Sequence, residues 1–235
     1  MKKLVCFLLL FALLAACFSF AACSKKEDTT DDAAVIASWQ EKYTAGSFGI
    51  RSKKDPFVEF TFNTGDTIRV ELYKSVAPIT VNNFITYVEE GFYEGVTFHR
   101  IKQGQMIQTG GFVIEDNVFV QKEPTHPAIK GEFKINGVNN TLSHTSGVIS
   151  MARTDLSFDS ATSQFFICSA TVTGWDGSYA AFGRVIDEES MAVVSRLEKL
   201  ETHSERLYYG AEYSTPSDVP VTRVTINKAK LVWDK

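Results

Sequence analysis

Hydrophobic and polar positions begin to alternate just after Pro56. Val58, Phe60 and Phe62 are interleaved with Glu59 and Thr61, and Ile68, Val70 and Leu72 follow beyond Asn63-Thr64-Gly65-Asp66. A period of two on both sides of turn-forming residues predicts a hairpin with one buried face. The period then lengthens. Val81, Phe84, Ile85 and Val88 recur at helical spacing, with Thr80 as the expected N-cap and Gly91 as the stop. Short apolar runs between glycine-rich breaks predict strands at 96–101, 106–108, 147–151, 165–167 and 181–185. This spacing suits an antiparallel barrel better than parallel strands with helical crossovers. A second helix is expected from Asp187, its N-cap, to about Leu200, with Glu188 and Glu189 in the first turn where the dipole favours anions. Residues 201–220 read as a loop, and Val224 to Trp233 as a last strand pairing with the first hairpin.

The first residues follow another pattern. Lys2 and Lys3 precede an apolar run from Leu4 to Ala22, which is the layout of an export signal. A permanent transmembrane helix is the alternative, since the run is about long enough to span a bilayer. Leu14-Ala15-Ala16-Cys17 and Phe20-Ala21-Ala22-Cys23 both resemble the bacterial lipobox, whose cysteine becomes the lipidated first residue. Leu14 favours Cys17, whereas the polar SKKEDTTDD run after Cys23 favours the later site, which is preferred here. The expected organisation is a signal over 1–22, a lipidated N-terminus and polar tether over 23–54, and one domain over 55–235. Trp39, Tyr43 and Phe48 are the tether residues expected to dock on that domain.

Composition narrows the function classes. With 235 residues and 44% hydrophobic content the chain can bury one substantial core. A net charge of -4 excludes the basic surplus of a nucleic-acid binder. Of the four cysteines only Cys168 lies in the body of the chain, and His99, His126, His144 and His203 are scattered. Neither a disulfide framework nor a zinc site is therefore expected. His99 and His144 read as hydrogen-bonding residues of the barrel rather than as bases or ligands.

The chemistry concentrates in Phe98 to Gly110, where Arg100 and Gln108 flank Met106, and in Ser146 to Phe166. A permanent cation beside an amide and apolar side chains suits a polar backbone next to an apolar ring, and no activated nucleophile accompanies it. In these stretches the chain from about Pro56 to Trp233 resembles the cyclophilin family of peptidyl-prolyl cis-trans isomerases. The motifs are FHRI at 98–101, MIQTGG at 106–111, GVISMAR at 147–153, SQFFI at 163–167 and DGSYAAFGRV at 176–185.

The resemblance implies a mainly β fold, a closed eight-stranded antiparallel barrel capped by two α-helices. It implies that Arg100 is the catalytic cation and that Gln108 orients it. Gln105, Met106, Ala152, Arg153, Gln164, Phe166, Trp175 and Tyr179 would bind substrate, the main chain at Arg153 by hydrogen bonds. Gln103-Gly104-Gln105-Met106 departs from the family's Pro-Gly-Phe-Met, placing Gln105 where a phenylalanine helps wall the proline pocket. The expected partners are proline-containing polypeptides, the membrane through a lipid anchor and a cyclosporin-like ligand. A monomer in the bacterial cell envelope is expected, without nucleic acid, cofactor or metal. The alternative is a catalytically weak peptide-binding or chaperone-like envelope module.

Overall fold

In the computed structural model, which describes residues 32–42, 50–52 and 54–233, the alternating stretch after Pro56 folds as a hairpin of β1 (Phe57–Phe62) and β2 (Thr67–Leu72). Phe60 stands opposite Ile68 across the pair. Among the described residues three α-helices accompany the strands: α1 (Asp32–Lys42), α2 (Pro78–Glu89) and α3 (Glu188–Glu198). The strands that follow the hairpin are β3 (Arg100–Lys102), β4 (Met106–Thr109), β5 (Phe112–Glu115), β6 (Val118–Gln121), β7 (Val148–Met151), β8 (Phe165–Cys168) and β9 (Ala181–Val185). Beyond α3 come β10 (Thr202–His203), β11 (Leu207–Tyr209), β12 (Glu212–Ser214), β13 (Val219–Pro220) and β14 (Ile226–Val232). The expected export signal, Cys17, Cys23, Tyr43 and Phe48 lie outside the described residues.

Eight strands form one curled antiparallel sheet in the order β14-β1-β2-β9-β7-β8-β4-β3. The last strand pairs with β1, as the sequence predicted. The edges β3 and β14 do not pair as strands. An isolated bridge, Thr97 to Thr225, links the chain before β3 to the chain before β14. Phe98 N also donates to Val224 O at 3.0 Å and Ile226 N to Val96 O at 2.8 Å. The sheet is therefore a half-barrel whose edge segments meet along a hydrogen-bonded seam.

Its concave face is filled with aromatic rings. Phe60 stacks on Phe165 at 5.6 Å, and Phe84 of α2 meets Phe165 and Phe182 at 5.2 and 5.0 Å. Offset and edge-on contacts of this kind add to the gain from burial itself. Val81, Ile85 and Val88 of α2, and Val193, Val194 and Leu197 of α3, join the same core.

The helix ends show where local signals were sufficient. Asp187 caps α3, its carboxylate accepting from Ser190 N at 2.6 Å, as predicted. Gly91 ends α2 with φ 68, a left-handed conformation that glycine adopts without penalty. The start of α2 differs from expectation. Ala77 is the N-cap, Pro78 opens the helix, and Thr80 lies buried inside the first turn. Glu132, 3% exposed, accepts from Ile79 N at 3.1 Å and from both Thr80 N and Thr80 Oγ1 at 2.7 Å. A distant carboxylate thus satisfies the orphan donors that a local cap would otherwise meet.

Two further stretches carry more structure than their sequence suggested. Within the expected tether, α1 packs Ile36 and Trp39 against Phe57, Ile186 and Val232. The Trp39 ring stands 5.9 Å from that of Phe57, with the Arg69 guanidinium 5.6 Å over it. The stretch expected as a loop over 201–220 contains β10 to β13. There β10 pairs with β13, while β11 joins β12 and runs parallel to β6 in a second sheet of order β12-β11-β6-β5.

Candidate active site

Strand register assembles the site. Arg100 stands opposite Gln108, Gln108 opposite Phe166, and Phe166 opposite Ser150, a row that crosses β3, β4, β8 and β7. Side chains alternate between the faces of a sheet, so the neighbouring row must point the other way. It consists of Ile101, Ile107, Ile167 and Ile149, all buried in the main core. Met106, Val148, Phe166 and Cys168 form a separate cluster on the opposite face.

Two glycines let the strands approach. At Gly110, φ is 94 and an added Cβ would sit 2.5 Å from the carbonyl oxygen of Ser163. At Gly111 a Cβ would meet the Gln164 side chain at 2.5 Å. The paired glycines of the MIQTGG stretch are thus what admits Gln164 beside Gln108, and Gln108 Nε2 donates to Gln164 Oε1 at 3.0 Å.

The Arg100 guanidinium is held from two sides. Its Nε donates to Asp218 Oδ2 at 2.8 Å and its Nη1 to Gln108 Oε1 at 3.4 Å. The side chain is 40% exposed, at the rim of a cavity of about 160 Å³. Eight of the ten expected residues line this cavity: Arg100, Met106, Gln108, Ala152, Arg153, Phe166, Trp175 and Tyr179. Lys102 also lines it and was not anticipated, although it lies two residues from Arg100 on the same face of β3. Gln164 lines an adjoining cavity of about 330 Å³, which shares Ala152 and Arg153 with the first and is bounded by Tyr209 and Gln121. Gln105 lines neither. It sits in the turn between β3 and β4, where its N–H donates to Lys102 O at 3.0 Å and its carbonyl accepts from Ser169 N at 3.0 Å.

Phe166 floors the cavity, with Trp175 and Tyr179 edge-on at 5.2 and 5.8 Å. Behind Phe166 lies His144, its ring near-parallel at 6.0 Å. His144 Nδ1 is 2.8 Å from Asp176 Oδ1 and its Nε2 is 3.0 Å from Ser150 Oγ. A serine, histidine and aspartate in series suggest a nucleophile, yet Ser150 and His144 are both 0% exposed. No substrate carbonyl can reach that hydroxyl, so the chain of bonds supports the floor. Burial holds the His144 pKa below its usual value, against the pull of Asp176. Burial pushes Asp176 upward, but hydrogen bonds from Ser143 and His144 outweigh it and hold the carboxyl low.

Arg153 uses its side chain structurally. Its guanidinium lies over Tyr179, Phe158 and Phe133 at 4.8, 5.3 and 5.7 Å, and its Nε donates to Ser178 O at 3.0 Å. His99 is buried next to Arg100, 4.6 Å from the Phe112 ring, and burial together with the Arg100 charge lowers its pKa to about 3. It is neutral at physiological pH and cannot serve as a proton donor there. Burial likewise pushes the Cys168 thiol up to about 12, which removes it as a nucleophile. What remains is a fixed cation and an amide beside an apolar floor. Among the described residues no group of three or more His, Cys, Asp or Glu is placed to hold a metal ion.

The fold is a mainly β half-barrel that sets a fixed cation and an amide beside an apolar floor, and comparison gives it a class. The sequence profile described as "Cyclophilin type peptidyl-prolyl cis-trans isomerase/CLD" matches residues 57–231. A peptidyl-prolyl cis-trans isomerase of Acinetobacter baylyi is 38% identical over 182 residues, covering 74% of this chain and 88% of its own. Peptidyl-prolyl cis-trans isomerase B of Escherichia coli is 35% identical over 182 residues, covering 73% and 99%. A crystal structure of a Cryptosporidium parvum cyclophilin type peptidyl-prolyl cis-trans isomerase in the presence of the dipeptide Ala-Pro shares the fold. Its TM-score is 0.55 at 22% identity, covering 76% of this chain and 99% of that one. The chain belongs to the cyclophilin-type peptidyl-prolyl cis-trans isomerase family, and it is a prolyl isomerase.

Proposed function

We propose that Arg100 is the cation that lowers the barrier to rotation about an X-Pro bond, with the proline ring seated on Phe166 and Met106. Rotation destroys amide resonance and meets a barrier of roughly 18–20 kcal/mol. No covalent bond breaks. As the amide twists, the proline nitrogen regains its lone pair and becomes a hydrogen-bond acceptor, so a donor aimed there favours the twisted state over the planar one. Arginine can donate without losing its charge. The observation that carries this reading is the Arg100 guanidinium fixed by Asp218 and Gln108 at the rim of a cavity floored by Phe166. Gln108 orients the cation, Gln164 and the main chain at Ala152 and Arg153 line the path of the peptide, and Trp175 and Tyr179 form the rim.

The sequence supports an envelope setting. A cleavable signal ending before Cys23, or before Cys17, would leave a lipid-anchored protein acting on exported or surface polypeptides. A cyclosporin-like ligand would compete for the same groove. The bridge at Thr97 and Thr225 would be the seam of a closed barrel in this reading.

The test is cis-to-trans conversion of a short X-Pro peptide by the full chain and by Arg100→Ala. Loss of roughly 10²-fold or more in kcat/KM is expected for the removal of such a donor. Equal rates would refute the role of Arg100. Peptide binding without turnover in the unaltered chain would favour the weak chaperone-like module, a reading that rests on Gln105 standing in place of a phenylalanine. Mass spectrometry of the mature N-terminus decides among Cys23, Cys17 and an uncleaved Met1.

A further inference from the structure

We propose that Asp218 is the positioning residue of this site: its carboxylate sets the plane of the Arg100 guanidinium and thereby selects which N–H groups face the X-Pro bond. The proposal rests on reading Arg100 as the catalytic cation. Asp218 makes two bonds to consecutive residues of β3. Its carboxylate accepts from Arg100 Nε at 2.8 Å, and its main-chain oxygen accepts from Ile101 N at 2.8 Å. The carboxylate is therefore registered against the same strand that carries the arginine.

The element that delivers it is anchored. The next residue, Val219, is fully buried in a cluster with Phe112, Phe119 and Leu207, and it begins β13, which pairs with β10. On the other side, Gln108 holds Nη1 and is itself tied to Gln164. An arginine has five N–H donors. One is committed to Asp218 and one to Gln108, and among the described residues Nη2 has no hydrogen-bond partner. The geometry leaves the Nη groups, and not Nε, to donate to the proline nitrogen. Without the carboxylate only the longer bond to Gln108 restrains a flexible side chain, and the Nη groups lose their fixed direction.

Substitution separates this role from a structural one, because the bond from Ile101 N goes to the main chain of residue 218 and survives a change of side chain. In the full chain, Asp218→Ala is expected to lower kcat by roughly ten- to hundredfold through misplacement of the donor. KM for the peptide should hold, since Met106 and Phe166 are untouched. Asp218→Asn keeps an acceptor without the charge and should restore turnover. A second readout is the Arg100 Nε–H resonance in proton–nitrogen NMR, expected to shift and exchange faster with water in Asp218→Ala but not in Asp218→Asn. Should the alanine variant fail to fold, Asp218→Ser, which is too short to reach Nε, takes its place.

Wild-type kcat in the alanine variant, or a rise in KM alone, overturns the proposal. If the unaltered chain shows no turnover, the isomerase role of Arg100 fails instead, and the resonance alone decides. An Nε–H signal unchanged in Asp218→Ala then overturns the positioning role as well.

Discussion

A guanidinium gripped at two of its nitrogens differs from a charge that merely lies nearby. Arg100→Lys keeps the charge but cannot reproduce the fork that meets Asp218 and Gln108 together. It is expected to lose about 10²-fold in kcat/KM on an X-Pro peptide. A lysine variant within a factor of a few of the unaltered chain would show that position matters less than charge. Arg100 and Gln108 could be read from the sequence because they face each other across one short hairpin, and their spacing is the register itself. Lys102 could have been read in the same way. Asp218 could not, since it lies 118 residues from its partner in a stretch with no periodic pattern. Gln105, singled out because it replaces a phenylalanine, turns its main chain to the β3–β4 turn and lines neither cavity.

At the scale of elements, strands and helices were legible wherever one face is buried and the pattern is regular. Their ends were legible only when the capping group is local. Asp187 lies next to the helix it caps, whereas Glu132 lies 52 residues beyond Thr80. Removing Glu132 would strand two main-chain N–H groups and the Thr80 hydroxyl. Glu132→Ala is accordingly expected to cost about 3 kcal/mol, lowering the thermal unfolding midpoint by about 10 °C in a domain of this size. Calorimetry checks this, and a shift within error of zero would mean that water replaces the carboxylate. The β5–β6 hairpin was missed although Asp116 and Asn117, with φ 47 and 65, supply the positive-φ turn that such hairpins favour. Helix α1 was hidden by its setting, because its short apolar stripe, with Ile36 buried and Val35 and Trp39 partly so, follows the charged run of the expected tether.

Across the whole molecule, two buried groups oppose each other in the dependence of stability on pH. Glu71 is fully buried and accepts from Arg51 N at 2.8 Å and from Ser52 N at 2.7 Å, pinning the chain that leads into β1. Burial raises its pKa from 4.5 to about 7, against those hydrogen bonds. Its folded pKa exceeds its unfolded one, so its contribution is complete below about pH 4.5 and is lost as pH rises through about 7. His99 runs the other way. Its folded pKa of about 3 lies below its usual 6.5, so stability is lost as pH falls from 6.5 toward 3. His144, also lowered by burial, adds to that trend. Relative to the unaltered chain, Glu71→Gln should therefore gain stability between pH 4.5 and 7, by about 3 kcal/mol at most. Denaturant titrations of both proteins across that range provide the measurement, and parallel curves would contradict the assignment.

The four strands that carry the groove have one further consequence. In β3, β4, β7 and β8 every even-numbered residue belongs to the groove side and every odd-numbered one to the interior. The even-numbered Met106, Val148, Phe166 and Cys168 are themselves buried in one apolar cluster, so a codon that reshapes the groove floor also touches the stability of the sheet.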